Sequence, residues 1–141
     1  MKIMAVDLGD ARTGIAVCGR TELLASPVGV IEEKSLSDTV EKIACAAREY
    51  EAEIVVMGLP RNMDGTEGAR AQKSRKAAEL LGGLIPDIPI EMWDERMSTK
   101  AATVYLNATD TRGKKRKKVI DAQSAAIILE SYLAFRKNTH S

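Results

Sequence analysis

Three segments of this sequence place carboxylates next to apolar runs, a pattern that suits a hydrolytic site. The first segment, DLGDARTG over residues 7–14, puts Asp7 at the end of a strand-like run. An ionised Asp7 there would be partly desolvated, and a bound cation would compensate for that cost. On this interpretation Asp7 is an oxygen ligand for Mg²⁺, Gly9 allows close approach of a phosphate, and Arg12 offers it a guanidinium. The alternative is a plain hairpin turn.

The second segment, WDERMST over residues 93–99, lies between a strand-like and a helix-like run. Alternation along a strand points Asp94 and Glu95 to opposite sides, so one of the two is expected to reach a shared site. The alternative is that one acid only pairs with Arg96, while Ser98 caps the following helix.

The third acid is Asp121, near the start of an almost wholly apolar helix. A favourable interaction with the helix dipole would explain it without catalysis. Its apolar neighbours instead favour a position at the edge of a sheet. Asp7, Glu95 and Asp121 would then form a set of three carboxylates that holds one or two Mg²⁺ or Mn²⁺ ions. Two such ions activate water and stabilise the leaving oxygen in phosphodiester cleavage.

Positive charge is concentrated in one segment, because six of the seven residues in RGKKRKK, 112–118, are cations. The whole chain carries 21 Lys and Arg against 20 Asp and Glu, so this predicted basic loop is the local feature that favours contact with a phosphate backbone. A solvated charge run is the alternative. The loop GLPRNMDGTEG over 58–68 offers further donors, or is a plain strand-to-helix turn. We assign substrate binding to Arg12, Asn62, Arg96, Lys114 and Arg116.

The elements that must position these residues follow from apolar periodicity. Five strands are predicted over Lys2–Leu8, Thr13–Cys18, Val28–Ile31, Ile54–Met57 and Ile88–Asp94. Helices are predicted from Leu36 with Ser35 or Ser37 as cap, over Thr66–Leu81 before Gly82-Gly83, from Ser98 to about Asn107, and from Val119 to about Phe135. This order predicts an α/β fold with a mixed five-stranded sheet and helices on both faces. Ligands of such sheets gather at the carboxyl ends of the strands.

Length and composition set the broad class. A chain of 141 residues, 45% hydrophobic, predicts a single domain over residues 1–141. It contains neither a long apolar run nor the pattern of a signal peptide, so we expect a cytoplasmic protein with no membrane partner. Cys18 and Cys45 lack metal-binding spacing, and we expect both to be reduced thiols in the core.

Taken in order, these motifs resemble the YqgF family over essentially the whole chain. The resemblance rests on DLG at 7–9 with Arg12 and Gly14, VMGLP at 56–60 with NMDG at 62–65, DER at 94–96 with ST at 98–99, the lysine-rich segment, and Asp121 before Ala125-Ala126. It implies a ribonuclease H-like fold related to Holliday junction resolvases. It also implies trimming of the 5′ end of pre-16S ribosomal RNA, with Asp7, Glu95 and Asp121 as the catalytic acids. Ala11 departs from the pattern, since many relatives carry a basic residue there.

Three other functions are alternatives to trimming of precursor rRNA. Four-way junction DNA is the second candidate substrate. A non-catalytic nucleic-acid-binding factor of ribosome assembly would use the same basic surface without cleavage. Actin-like and sugar-kinase ATPases begin with a similar Asp-x-Gly turn, but they need two domains around a nucleotide, and a chain of 141 residues predicts only one.

Overall fold

A five-stranded mixed sheet forms the centre of the chain in the computed structural model, which describes residues 1–22, 24–97 and 113–140, with side chains after residue 112 described over 122–138. The strands are β1 (Ile3–Asp7), β2 (Arg12–Cys18), β3 (Ala25–Glu32), β4 (Ile54–Leu59) and β5 (Ile90–Asp94). Their spatial order is β3-β2-β1-β4-β5. Strand β2 runs antiparallel to both β1 and β3, and β4 runs parallel to both β1 and β5. The predicted mixed sheet is therefore confirmed.

Helices cover both faces of this sheet, as predicted. They are α1 (Leu36–Glu49), α2 (Ala69–Leu84) and α3 (Gly113–His140), and a short 3₁₀ helix, Glu95–Met97, follows β5. One apolar core lies between the sheet and the pair α1 and α2, and a second lies between the sheet and α3. In the described part of the chain, no helix has a stretch long and apolar enough to cross a bilayer.

Strand β1 is buried on both faces, which fixes the position of the acid at its end. Met4 and Val6 belong to the core beneath α1 and α2, whereas Ile3 and Ala5 belong to the core beneath α3. Successive side chains of a strand point to opposite faces, so both cores hold this strand in place. Asp7 follows directly and is half-buried.

Helix α1 begins as the sequence predicts. The Ser35 hydroxyl caps it and accepts a hydrogen bond from the Asp38 backbone N–H at 3.4 Å. The expectation that both cysteines are core residues is wrong for one of them. Cys18 is buried, but Cys45 lies on the exposed face of α1, because the buried face is formed by Val40 and Ile43. Both thiols are free.

Helix α2 is displaced from its predicted position at both ends. It begins at Ala69, because the backbone of Thr66 is hydrogen-bonded to Asn62 within the preceding loop. It continues through Gly82-Gly83 to Leu84, although glycine lowers helix stability by about 1 kcal/mol per residue. Fully buried Leu81 and Ile85 lie on either side of the two glycines and pack into the core, which explains why the helix does not end at residue 81.

Three further predictions about elements were wrong. Strand β3 is longer than Val28–Ile31, and β5 begins at Ile90 rather than Ile88. The basic segment is helical from Gly113 onwards and forms the first turns of α3 instead of a loop. Lysine and arginine are good helix formers, so a cationic run without proline does not stop a helix. The predicted helix from Ser98 to Asn107 lies outside the described residues.

Candidate active site

Two of the three predicted acids are in contact at the carboxyl end of the sheet. Asp7 ends β1 and Glu95 follows β5, and both strands run parallel to β4, which lies between them. The carboxyl ends of parallel strands meet at one edge of a sheet. The side chains of Asp7 and Glu95 are joined by a hydrogen bond across the end of β4.

The contact changes the acidity of Asp7. Burial raises the pKa of Asp7 well above its usual value, and the charge and hydrogen bond of Glu95 raise it further. The positive charge of Arg70 acts in the opposite direction and lowers this pKa. Two carboxylates that share one site cannot both ionise without cost, because each disfavours the charge of the other. The contact is therefore favoured when a proton or a cation offsets the repulsion between the two carboxyl groups.

Gly58 makes room for this pair. A Cβ atom on residue 58 would lie 3.0 Å from both Cγ and Cδ of Glu95, and 2.8 Å from Cδ1 of Ile128. Both distances are too short for ordinary carbon contacts, so any side chain at this position would displace Glu95 or the α3 residue behind it. The sequence marked Gly58 only as the end of a strand, and its role in positioning Glu95 was missed.

Asp94 pairs with arginines, whereas Glu95 contacts Asp7. Its carboxylate accepts hydrogen bonds from Arg96 Nε at 3.0 Å and Nη2 at 2.7 Å, and lies 3.9 Å from Arg61 Nη1. The hydrogen bonds from Arg96 lower the pKa of Asp94. At the end of β5, Asp94 thus contacts the arginines, and the next acid, Glu95, contacts Asp7. The pairing of an acid with Arg96, which was the alternative interpretation of this segment, is also present.

Three residues assigned to substrate binding lie around this edge, and they differ in their hydrogen-bond and ion-pair partners. Arg12 is half-buried with its Nε atom 3.9 Å from Glu32 Oε1, and this nitrogen has no hydrogen-bond partner among the described residues. The Asn62 amide donates to Thr66 Oγ1 at 2.9 Å and so stabilises its own loop. Arg96, besides binding Asp94, donates from Nη1 to the Met63 carbonyl at 3.4 Å.

The turn after β1 has a structural reason for its glycine. A Cβ atom on Gly9 would lie 2.2 Å from the carbonyl oxygen of Arg12, so only glycine allows the chain to close this turn. Close approach of a phosphate is not needed to explain Gly9. The structure therefore adds no support for the interpretation that Gly9 lets a phosphate approach closely.

Helix α2 brings Arg70 close to Asp7 and Lys73 to the neighbouring turn, and the sequence analysis singled out neither cation. Lys73 Nζ lies 3.2 Å from Oδ1 of Asp10, which ties the first turns of α2 to the turn after β1. Arg70, one turn earlier in the helix, is exposed and close enough to lower the pKa of Asp7. The sequence did contain a signal for these cations, because basic residues occupy the first turns of a helix that follows the end of a strand.

The third predicted acid is on α3, but not where it was expected. Asp121 lies two turns inside the helix rather than near its start. Later in the same helix, Ala125 and Ile128 are buried against the sheet. The side chains of Asp121, Lys114 and Arg116 lie outside the described residues. Among the side chains that are described, no three His, Cys, Asp or Glu residues converge as metal ligands.

Comparison with known proteins places this chain in a family. The RuvX family model, described as Holliday junction resolvase, matches residues 1–135. The chain belongs to the RuvX family. A relative from Halothermothrix orenii named "Putative pre-16S rRNA nuclease" is 39% identical over 140 residues, which cover 99% of each chain. A RuvX relative of the same name from Myxococcus xanthus is 41% identical, over 94% of this chain and 87% of its own.

Solved structures of resolvases share the fold of this RuvX protein. Thermus thermophilus RuvC, in complex with a Holliday junction substrate, matches with a TM-score of 0.60 and 15% identity, over 99% of this chain and 97% of that one. The fowlpox virus resolvase, in complex with Holliday junction DNA, matches with a TM-score of 0.60 and 12% identity, over 95% and 97% of the two chains. At these identities the likeness shows the fold alone, and it confirms the expected ribonuclease H-like architecture.

Proposed function

We propose that this RuvX protein is a divalent-metal-dependent nuclease that trims the 5′ end of precursor 16S rRNA in the cytoplasm. The observation that carries the proposal is the contact between Asp7 and Glu95 at the carboxyl end of the sheet, with the raised pKa of Asp7. Structural ion pairs join opposite charges, but this pair joins two acids. Such an arrangement is costly for the fold and is typical of sites that bind a cation or move a proton.

A divalent cation fits the donor set of this pair. Both carboxyl groups offer hard oxygen ligands, which suit Mg²⁺ or Mn²⁺ and not a thiolate-binding metal. A cation beside Asp7 would also offset the burial and the repulsion that raise its pKa. Asp7 and Glu95 would hold the metal, with Asp121 on α3 as a further ligand. When bound, the metal supplies activation of water and stabilisation of the leaving oxygen.

The surrounding cations of this chain would bind and orient the substrate. Arg70 on α2 lies near Asp7 and would balance the charge of a phosphate next to the acids. Arg12, Asn62 and Arg96 would contact the strand on either side. Lys114 and Arg116 in the first turns of α3 would hold the backbone further away, in a contact that depends on salt.

The names of the relatives favour precursor rRNA as the substrate. Those that match at about 40% identity over nearly the whole chain carry a name that specifies pre-16S rRNA. Junction DNA is the second candidate, favoured by the description of the family and by the resolvases that share the fold. A ribosome-assembly factor that binds without cleavage would have no use for two acids in contact.

A side-by-side cleavage assay tests this proposal. Purified protein is incubated with end-labelled precursor 16S rRNA or with a four-way DNA junction, with Mg²⁺ or with a chelator. We expect cleavage at the 5′ end of the rRNA in Mg²⁺, slower or absent cleavage of the junction, and no product with the chelator. Faster cleavage of the junction would transfer the activity to DNA. Binding of both substrates without any product would favour the assembly factor.

A further inference from the structure

Two highly exposed methionines lie on either side of Arg96, the residue that follows Glu95 in the chain. Met63 is 90% exposed in the loop between β4 and α2, and Met97 is 66% exposed in the 3₁₀ helix that begins at Glu95. Arg96 lies between them, because it precedes Met97 in the chain and its guanidinium donates to the Met63 carbonyl at 3.4 Å. Single exposed apolar residues need no explanation, but two at one edge of the site form a surface.

The loop that carries Met63 is held by its own hydrogen bonds. The Asn62 N–H donates to the Thr66 carbonyl at 2.9 Å, and the Gly65 N–H donates to the Asn62 carbonyl at 2.9 Å. The Asp64 carboxylate accepts from the Thr66 hydroxyl at 2.6 Å and from its N–H at 3.0 Å. The loop is thus ordered before it meets a partner, and binding through Met63 costs little further ordering.

The chemistry of this surface suits a nucleobase better than a phosphate. A thioether is apolar and polarisable, and it packs favourably against aromatic rings. A guanidinium also stacks on base faces, and apolar side chains that include methionine insert between bases in other nucleic-acid complexes. Phosphates would be bound by cations alone. In a regular duplex the faces of the bases are covered by their neighbours, so this surface fits bases that are unstacked.

We propose that Met63, Arg96 and Met97 form a base-contacting surface, which selects nucleic acid with unstacked bases next to the scissile phosphate. This inference rests on the proposed nuclease function and defines its substrate class as single-stranded or locally opened nucleic acid. Arg96 and Met97 follow Glu95 directly in the chain, so a base that contacts them places the adjoining backbone near the acid pair.

Binding of RNA to surface variants tests the inference. Each protein also carries Asp7→Asn to prevent cleavage, and a fluorescein-labelled RNA strand is titrated either alone or in a blunt duplex, with anisotropy as the readout. We expect a preference for the single strand that Met63→Ala reduces at least about fivefold, in line with the energy of one base contact. Met63→Phe should keep or increase the preference. Leu24→Ala, which truncates a residue 70% exposed in the β2–β3 connection, is the matched control and should leave it unchanged.

The outcomes separate this inference from the nuclease proposal. Equal affinity for single strand and duplex, or a preference that Met63→Ala leaves intact, overturns the base-contacting surface even when the wild-type protein cleaves RNA. A loss of preference in Met63→Ala, together with no cleavage by the wild-type protein, supports the surface and contradicts the nuclease. Because Met63 is exposed, melting temperatures should be the same for Met63→Ala and its parent, and this measurement excludes misfolding as the cause.

Discussion

Replacing Asp7 by asparagine should lower the rate of phosphodiester cleavage by about three orders of magnitude. The change removes one of two carboxylates in contact, and a metal centre supplies several kcal/mol of transition-state stabilisation. Initial rates on end-labelled substrate in Mg²⁺ measure the effect. Asp10→Asn is the matched control, because Asp10 lies in the same turn, is 86% exposed and contacts only Lys73 among the described residues. Its rate should stay within a few-fold of wild type.

The same substitution should stabilise the metal-free protein, which distinguishes loss of a ligand from loss of the fold. Folding raises the pKa of Asp7, so above about pH 4 the folded protein retains a proton that the unfolded chain has released. The free energy of unfolding of the wild type therefore falls as the pH rises through the folded-state pKa. Asparagine does not ionise, so the Asp7→Asn variant does not lose stability in this way. Melting temperatures of Asp7→Asn in a chelator should exceed those of wild type at neutral pH, and the two should converge near pH 4. A mutant that cleaves at the wild-type rate would remove Asp7 from the site.

Glu95→Gln and Asp94→Asn should have different effects although the two acids are adjacent. Glu95 contacts Asp7, so its substitution should reduce kcat by about the same three orders of magnitude as Asp7→Asn. Asp94 instead pairs with Arg96 and lies near Arg61. Asp94→Asn should leave kcat within about tenfold and raise KM, because the arginines are no longer held in place. Steady-state kinetics of both variants on one substrate give the comparison.

The pH dependence of stability provides a control for the Asp94→Asn variant. The pKa of Asp94 is lowered in the folded protein by Arg96, so its ionised form contributes stability above the unfolded-state pKa and loses it as the pH falls. Asp94→Asn should therefore melt below wild type at neutral pH, and this deficit should shrink in acid. Similar losses of kcat in both variants would show that the two acids act together, and would contradict the division of roles seen here.

The sequence was sufficient to predict the sheet and the general place of the site. Apolar strands and their order determine a mixed sheet, and residues at the ends of parallel strands must meet at one edge. Asp7 and the 94–95 pair were placed there for that reason. The choice between Asp94 and Glu95 depends on which side chain alternates toward β1 and on the space left by Gly58, and neither is a property of the local sequence.

Other errors had a common physical cause. Thr66 and Gly82 are good local signals for the ends of a helix, but hydrogen bonds within the Met63 loop and burial of Leu81 and Ile85 override them. The basic segment was expected to be a loop because of its charge, whereas its residues favour a helix that is anchored further along α3. Arg70 was missed because its proximity to Asp7 depends on how α2 packs.

A crystal structure of the protein with Mn²⁺ tests directly whether the acid pair is a metal centre. An anomalous difference map locates the bound ion. We expect a Mn²⁺ ion bound by Asp7 and Glu95, with the Asp121 carboxylate within roughly 4–8 Å of Asp7, as ligands of one or two shared ions require. Mn²⁺ bound elsewhere with Asp7 and Glu95 still in contact, or an Asp121 carboxylate more than about 12 Å from Asp7, is incompatible with a shared site and would contradict the proposed mechanism.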